Sequence, residues 1–328
     1  MSEGIQTDLN AIDSSLYTLR KSASLSELPD LEDGGYGHPP VDDYQIPRYD
    51  FSGQTAIVTG ASQGIGRHIA IGLTRSGANV VIASRSKGGP ETAYMIANDS
   101  KSVEAGGVAH FIECDVSVED EVDAMTKLTV EKFGGLHMAV NNAGHSGVNA
   151  PIEKQTTQNF DDVFNTNARG AFFCMKSQIA EMRKNDAPAG RATAEDSDED
   201  HGATSERSGY GRIVNIGSAA AFIAFPTAGI YVASKHALWG LTQAAAVELA
   251  PDTDIRVNMV VPGSVKTNNY EIFSEGKDAM KKQMISSHAT QQILMPEDCV
   301  AATLFMLSRG AFFCVGSALK IDGGYTAL

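Results

Sequence analysis

The stretch "QTAIVTGASQGIG" (residues 54–66) is a short β-branched run that ends in a glycine-rich turn. Residues 54–60 predict a buried strand, and residues 64–76 predict a helix because Ile65, Ile69 and Leu73 recur at a spacing of four. Glycines at 60, 64 and 66 would let the backbone approach a pyrophosphate at the N-terminus of that helix. A plain structural turn is the alternative, but the strand before it and the helix after it favour a dinucleotide site.

Apolar strand-like runs alternate with helical stretches along the rest of the chain. The strand-like runs lie at 79–85, 110–116, 136–144, 212–218, 255–263 and 318–324, and the helical stretches at about 91–105, 118–133, 158–184, 231–250 and 296–308. Strands that are apolar throughout and alternate with helices indicate a parallel sheet covered on both faces. The sequence therefore predicts one doubly wound α/β Rossmann domain, with a parallel sheet of about seven strands and helices on both faces.

The acidic residues are concentrated in two segments. The 328 residues carry a net charge of −14, of which residues 1–50 contribute −7 and residues 186–209 contribute −5, so the remaining residues sum to only −2. We therefore predict an acidic N-terminal extension at 1–50, partly disordered or a surface arm. We also predict a catalytic domain at 51–328, with an acidic low-complexity insertion at 186–209. No basic stripe occurs, which argues against nucleic acid as a partner.

The cysteine pattern and the hydropathy indicate a cytoplasmic protein without a metal site. The four cysteines are far apart and form no C-x-x-C or Cys/His pairing, as expected of reduced buried thiols. The first residues lack the basic-then-apolar order of a signal peptide. Residues 213–234 are free of charge, but Asn215 and Pro226 interrupt them. We interpret them as strand, loop and helix start, and we predict no membrane segment.

The end of the second predicted strand favours NADP(H). A site that selects NAD usually places an acid there, which accepts a hydrogen bond from the ribose 2′-hydroxyl. This sequence has Ser84 and Arg85, with Lys87 two places on and no acid. A guanidinium suits a 2′-phosphate through its charge and its forked donors. If Arg85 is instead a solvated surface residue, NAD(H) remains possible.

Eight short motifs occur in order along the chain. They are "TGASQGIG" (59–66), "CDV" (114–116), "NNAG" (141–144), "NTNARG" (165–170), a serine at 218, "YVASK" (231–235), "IRVNMVVPGSVKT" (255–267) and "IDGG" (321–324). With these motifs the sequence resembles the single-domain branch of the short-chain dehydrogenase/reductase family. The resemblance covers residues 51–328 apart from the acidic insertion.

The resemblance implies a catalytic set of Asn167, Ser218, Tyr231 and Lys235. A phenol with a pKa of about 10 is a poor base at neutral pH and needs its ionised form stabilised. Lys235, one helical turn after Tyr231, would lower the phenol pKa and hold the nicotinamide ribose. Ser218 would hydrogen-bond the substrate oxygen. Asn167 matches the family's asparagine that bends the long helix and holds a water in a proton relay.

The resemblance also implies the cofactor residues and the partners. Position 63 is Gln, where many NADP-using relatives have a base, so the 2′-phosphate argument depends almost entirely on Arg85. The substrate would be a small alcohol or ketone between walls at 145–152, 219–230 and 264–290, the last resembling a mobile lid. Helices 158–184 and 231–250 imply a homotetramer or homodimer, with the C-terminal "YTAL" at a second interface. The implied cofactor residues are Gly60, Ser62, Gln63, Gly64, Ile65, Gly66, Ser84, Arg85, Asp115, Val116, Asn142, Ala143, Gly144, Tyr231, Lys235, Pro262, Gly263, Val265 and Thr267.

Three readings compete at this point. The leading one is an NADP(H)-dependent alcohol dehydrogenase or ketone reductase, and the first alternative is an NAD(H)-dependent alcohol, sugar or polyol dehydrogenase. The second alternative is a redox-inactive nucleotide sensor or scaffold, which would not require Asn167, Ser218, Tyr231 and Lys235 together. An epimerase or dehydratase of the longer branch is disfavoured, because that branch uses a different glycine spacing.

Overall fold

The computed structural model describes residues 49–186, 209–267 and 278–327. Two units are distinguished, Met1–Gln45 and Ile46–Leu328. The predicted N-terminal extension and acidic insertion lie outside the described residues, except for residues 49, 50, 186 and 209. Residues 268–277 of the predicted lid also lie outside them.

The described residues form a seven-stranded parallel sheet in the order β3-β2-β1-β4-β5-β6-β7. The predicted doubly wound fold is confirmed. The order places β1 and β4 side by side, so the chain reverses its direction of winding between them, and open sheets of this kind bind ligands at that point. The strands are β1 Thr55–Thr59, β2 Asn79–Ala83, β3 Val108–Ile112, β4 Met138–Asn141, β5 Tyr210–Ile216, β6 Asp254–Pro262 and β7 Ala318–Ile321.

The helices between the strands agree with the sequence pattern, with three differences. One is the helix Asp278–Ser286, which lies in the stretch predicted as a lid. The stretch at 91–105 is two helices, because Asp99 caps the second one by accepting a hydrogen bond from the Ser102 amide at 2.9 Å. The long helix at 158–184 is interrupted by a π-helical turn, Asn165–Gly170. The helices are α1 Gly64–Thr74, α2 Gly88–Ala97, α3 Ser100–Glu104, α4 Glu119–Phe133, α5 Thr157–Phe164, α6 Ala171–Met182, α7 Gly229–Leu249, α8 Asp278–Ser286 and α9 Asp298–Leu307.

The sheet is buried on both faces, and the functional site lies at the ends of its strands. Every residue of β1, β4 and β6 is buried. Neighbouring residues enter opposite cores: Val58 packs in one hydrophobic cluster and Ile57 in the other. This alternation follows from the period of two of a strand. Because the strands are parallel, their carboxyl ends meet at one edge of the sheet, and the loops that follow them build the functional site.

Candidate active site

A cleft of about 830 Å³ runs along the carboxyl edge of the sheet. Of the sequence-predicted site residues, all but Gly66 and Asn167 line this cleft. The structure therefore brings together the glycine turn, the "NNAG" segment, the serine at 218, the "YVASK" helix and the "PGSVKT" loop around one space. A cavity of this size falls in the usual range for cofactor and small-molecule sites.

The glycine turn at the end of β1 is closely packed against the "NNAG" segment. Gly60 has φ +64 and a Cβ there would lie 2.9 Å from the Ala143 Cα. Gly64 has φ +54, a conformation that favours glycine. Gly66 lies behind the turn, where a Cβ would meet the Asn142 amide and the Gly60 carbonyl. Gly66 thus allows the close packing of the turn and does not line the cleft. Its implied role in cofactor binding stays a prediction.

The same turn provides the features that a pyrophosphate needs. Helix α1 begins at Gly64, and the side chain of its N-cap residue, Gln63, makes no capping hydrogen bond to the first amides. The first N–H groups of a helix are donors without intrahelical partners and carry a partial positive charge. Because Gly60 and Gly64 have no side chains, a ligand can approach the backbone closely at these positions. The residues present therefore fit a dinucleotide.

The "NNAG" segment is fixed to β1 by backbone and side-chain hydrogen bonds. The Thr59 hydroxyl accepts from the amides of Asn142 and Ala143 at 3.0 and 3.1 Å. The Asn142 side-chain amide donates to the Thr59 carbonyl at 3.0 Å. These contacts hold the adjoining strand ends of β1 and β4 in register beside the cleft.

Arg85 lies at the end of the cleft formed by β2 and β3. Its guanidinium donates to the Asp115 carboxylate at 2.8 Å, and its side chain remains 64% exposed. Burial alone would raise the pKa of Asp115, but hydrogen bonds from Ser117 and Arg85 lower it below its usual value. Asp115 therefore stays ionised and holds the arginine at the rim, where forked donors remain accessible to an anion.

Ser218, Tyr231 and Lys235 come together from two consecutive elements. Ser218 follows β5 in extended backbone, and its hydroxyl accepts from the Ala220 amide at 3.2 Å. Ser218 and Tyr231 both line the cleft, where the Ser218 hydroxyl lies near enough to the Tyr231 phenol to influence its pKa. The Lys235 ammonium donates to the carbonyl of Ile216, the last residue of β5, at 3.0 Å. The same ammonium lies 5.8 Å from the Tyr231 ring centroid.

Burial dominates the ionisation of this group. It raises the pKa of the Tyr231 phenol, and the nearby Ser218 hydroxyl lowers that pKa only in part. Burial also lowers the pKa of the Lys235 ammonium to about 8. The expectation from sequence was a lower phenol pKa caused by Lys235. The protein's own groups give the opposite direction, because removal from water disfavours both charged forms.

Asn167 sits behind the cleft, in the π-helical turn between α5 and α6. Its side-chain oxygen accepts from the His145 amide at 3.0 Å, and its amide donates to the His145 carbonyl at 2.9 Å and to the Ser234 hydroxyl at 3.0 Å. The side chain thus joins the loop after β4 to α7, next to Lys235. π-Helical turns frequently mark functional sites.

Three further residues of the cleft were not singled out from the sequence. Tyr325, which the resemblance assigned to an interface, stacks obliquely 5.6 Å from Phe225 in the cleft wall. Thr227 has a φ of 67, a rare conformation for a β-branched residue. Asn149 contributes a side chain whose oxygen is shielded from solvent and has no hydrogen-bond partner among residues 49–186, 209–267 and 278–327. Only tertiary structure reveals these features, since none leaves a pattern in the sequence.

Two further kinds of feature, a metal-binding cluster and a membrane-spanning helix, are absent from the described residues. In the part of the chain that the structure describes, no three His, Cys, Asp or Glu side chains are grouped so as to hold a metal ion. Among the same residues, no helix is long and apolar enough to cross a membrane.

Family models match nearly all of the chain beyond residue 53. Residues 54–192 match the model described as short chain dehydrogenase, and residues 200–326 match the model described as Enoyl-(Acyl carrier protein) reductase. A 2,5-dichloro-2,5-cyclohexadiene-1,4-diol dehydrogenase from Sphingobium indicum is 34% identical over 279 residues, which are 85% of this chain and 99% of the relative.

Two solved structures show the same fold over a similar length. Levodione reductase is 27% identical with a TM-score of 0.72, over 84% of this chain and 99% of that one. A proposed NAD(P)-dependent gluconate 5-dehydrogenase from Beutenbergia cavernae, solved with NADP at low occupancy, is 29% identical with a TM-score of 0.71. The match spans 85% of this chain and 99% of that one.

Proposed function

The chain belongs to the short-chain dehydrogenase/reductase family, and from that premise we propose that it is an NADP(H)-dependent enzyme interconverting a secondary alcohol and a ketone. That it is an oxidoreductase of this family acting on alcohol or ketone groups follows from its relatives. The finer proposal concerns the cofactor, the catalytic residues and the kind of substrate. The observation that carries it is that Ser218, Tyr231 and the buried Lys235 line the cleft of the glycine turn together, with the Lys235 ammonium 5.8 Å from the Tyr231 ring centroid.

The three side chains suit proton transfer at a substrate oxygen. A nicotinamide bound in this cleft would supply the hydride in reduction and accept it in oxidation. In reduction, Tyr231 donates its phenolic proton to the oxygen that becomes the alcohol; in oxidation, it takes the proton of the hydroxyl. Ser218 orients that oxygen by hydrogen bonding. Lys235 stabilises the phenolate electrostatically, because a cation close by in a desolvated site interacts strongly.

The proposal that the cofactor is NADP(H) depends on Arg85. Its exposed guanidinium stands at the rim of the cleft, where it pairs with the Asp115 carboxylate, and Lys87 lies two residues further along the chain. A similar structure that binds NADP supports the same assignment. The ion pair with Asp115 also satisfies the guanidinium without a phosphate, which is the observation that favours the alternative cofactor, NAD(H).

Titration of intrinsic or nicotinamide fluorescence with NADPH and NADH tests this assignment. A charge-assisted contact to a 2′-phosphate contributes about 1.5–3 kcal/mol, so we expect NADPH to bind about tenfold tighter or more. Arg85→Ala should remove that preference, whereas Lys127→Ala, on the exposed face of α4, should keep it. Equal binding of the two nucleotides by the wild type would assign the enzyme to NAD(H). Binding of neither would contradict an enzymatic function and support the sensor alternative.

We propose a secondary alcohol or ketone on a six-membered ring as the substrate class. The diol dehydrogenase from Sphingobium indicum is named for a cyclohexadiene diol. In this chain, Phe225 and Tyr325 form an aromatic wall of the cleft, and their ring centroids lie 5.6 Å apart. Such a wall suits a compact apolar ring. Turnover of cyclohexanol and cyclohexanone, followed as nicotinamide absorbance, tests the class. Turnover of open-chain polyols alone would contradict it.

We also propose a homo-oligomer. Val247 on α7 is 65% exposed and Phe172 on α6 is 44% exposed, so both helices present apolar side chains on their outer faces. Apolar residues of this kind on long surface helices favour association with a second copy. Size-exclusion chromatography with light scattering measures the assembly directly. A monomer at micromolar concentration would contradict the proposal.

A further inference from the structure

Asn149 is a polar residue of the catalytic cleft that the mechanism leaves unused. Its side-chain oxygen is shielded from solvent and makes no hydrogen bond to any residue that the structure describes, although the residue itself lines the cleft. An unpaired buried acceptor costs about 1–3 kcal/mol, so native proteins rarely keep one without a reason. The question is which group the oxygen is placed to meet.

The backbone on both sides of Asn149 is held by two side chains. The Gln155 amide donates to the carbonyls of Val148 and Ala150 at 3.1 and 3.0 Å. Asn159 accepts from the Val148 amide at 2.8 Å and donates to the Val148 carbonyl at 3.1 Å. The backbone polar groups on both sides of Asn149 are therefore satisfied within the protein, and they hold the segment that carries its side chain at the cleft. A residue whose backbone is held in this way loses less conformational entropy when its side chain meets a ligand.

The same segment is joined to the loop that precedes the catalytic helix. The Ala150 amide donates to the Thr227 carbonyl at 2.9 Å, and Thr227 is four residues before Tyr231. Thr227 holds its left-handed backbone, with φ 67, at this junction. Strained backbone of this kind occurs mainly where function requires it. Asn149 thus lies next to the contact between two walls that the sequence assigned to the substrate.

We propose that the Asn149 side-chain oxygen accepts a hydrogen bond from a second hydroxyl of the substrate, so that the enzyme prefers dihydroxy compounds to simple alcohols. This inference rests on the proposed alcohol–ketone chemistry. The terminal amide torsion of asparagine is broad, so the oxygen can turn towards a donor in the cleft at little cost. A site that hydrogen-bonds a substrate hydroxyl rejects analogues without it, because its own polar group is then left unpaired.

The test compares kcat/KM for cyclohexanol with kcat/KM for the separated cyclohexanediol isomers, using the full chain and its preferred nicotinamide cofactor. We expect the wild type to favour at least one isomer about tenfold, which corresponds to one good hydrogen bond. Asn149→Leu keeps the approximate volume and removes the acceptor, so the ratio should fall close to one. Asn149→Asp keeps an acceptor and should retain a preference. Val103→Ala, which changes an exposed residue on α3 outside the cleft, is the control and should leave the ratio as in wild type.

Thermal unfolding and nucleotide affinity of each variant show that it is folded and still binds its cofactor. With those unchanged, an equal diol preference in wild type and Asn149→Leu would overturn the inference, as would a wild type that prefers no diol isomer while it oxidises cyclohexanol. If the wild type turns over no alcohol or ketone with either cofactor, the proposed function fails and the inference fails with it. Loss of the preference in Asn149→Leu alone, with cyclohexanol still oxidised, supports both.

Discussion

Replacement of Lys235 by Met should stabilise the folded chain in a pH-dependent way while it removes activity. Burial lowers the pKa of the Lys235 ammonium from 10.5 to about 8. Since one pKa unit corresponds to 1.36 kcal/mol, the buried charge costs the folded state about 3 kcal/mol at neutral pH. Part of this cost is offset by the hydrogen bond to the Ile216 carbonyl at 3.0 Å, which Lys235→Met loses.

The pH dependence isolates the cost of the charge. The folded-state pKa lies below the unfolded one, so between pH 8 and 10.5 unfolded molecules hold a proton that folded ones have released. The wild type therefore gains stability as the pH rises through this range, and Lys235→Met does not. The free energy of unfolding of the variant minus that of the wild type should be largest below pH 8 and should fall by about 3 kcal/mol by pH 10.5.

Urea unfolding at several pH values between 7 and 10.5 measures this difference. The comparison is repeated in a Tyr231→Phe background, where the neighbouring phenol can no longer titrate. Lys127→Met, an exposed lysine on α4, controls for the loss of one positive charge. In the wild-type background, kcat should fall by about 100-fold or more, as expected when a positioned group is lost from acid–base chemistry. A difference in unfolding free energy that stays constant across the pH range would refute the argument that this ammonium is buried at a cost.

Three further outcomes follow from the geometry. Gly60→Ala should lower the free energy of unfolding by about 1–3 kcal/mol, since Gly60 has φ +64 and the new Cβ would lie 2.9 Å from the Ala143 Cα; unchanged urea unfolding would contradict this. Asn167→Ala, which loses the contacts to His145 and Ser234, should cost about 2–3 kcal/mol, and faster amide hydrogen exchange in residues 145–150 would locate the loss. Cys114 should resist iodoacetamide at pH 7.5 in the folded chain, because burial raises its thiol pKa to about 12; mass spectrometry showing rapid labelling would argue against this.

The sequence was sufficient for the sheet because burial and periodicity act locally along the chain. Apolar runs placed all seven strands, and the largest error in position concerns the edge strand β3. Residues 110–116 were predicted, but β3 is Val108–Ile112, since its partner β2 ends at Ala83 opposite Ile112. Beyond that pair the apolar pattern continues without a neighbouring strand, apart from the bond from the Cys114 amide to the Ser84 carbonyl. The length over which a strand pairs depends on its neighbour as well, and the sequence of one strand alone does not show where that neighbour ends.

The candidate site could be predicted where it follows motifs and not where it depends on contacts. The glycine turn, Ser218, Tyr231 and Lys235 belong to ordered motifs, and the structure places them around one cleft. Asn149 and Thr227 belong to no motif. Asn149 stands out by its unpaired side-chain oxygen and Thr227 by its positive φ, and both features depend on the residues around them in the folded chain. Consistency between local pattern and structure usually fails first at functional positions.

The cleft concentrates features that lower the stability of the fold. Lys235 carries a desolvated charge, Thr227 an unfavourable backbone conformation and Asn149 an unpaired acceptor, and all three line the same space. Each would be relieved by a conservative change such as Lys235→Met or Asn149→Leu, so their retention is not explained by folding. It is explained if the low dielectric that disfavours each isolated charge also strengthens the attraction between the Lys235 ammonium and a Tyr231 phenolate. The same exclusion of water makes an acceptor at Asn149 selective, because a substrate hydroxyl is then the partner that satisfies it. The fold is thus less stable at these positions because the same groups carry out acid–base chemistry and select the substrate in one cleft.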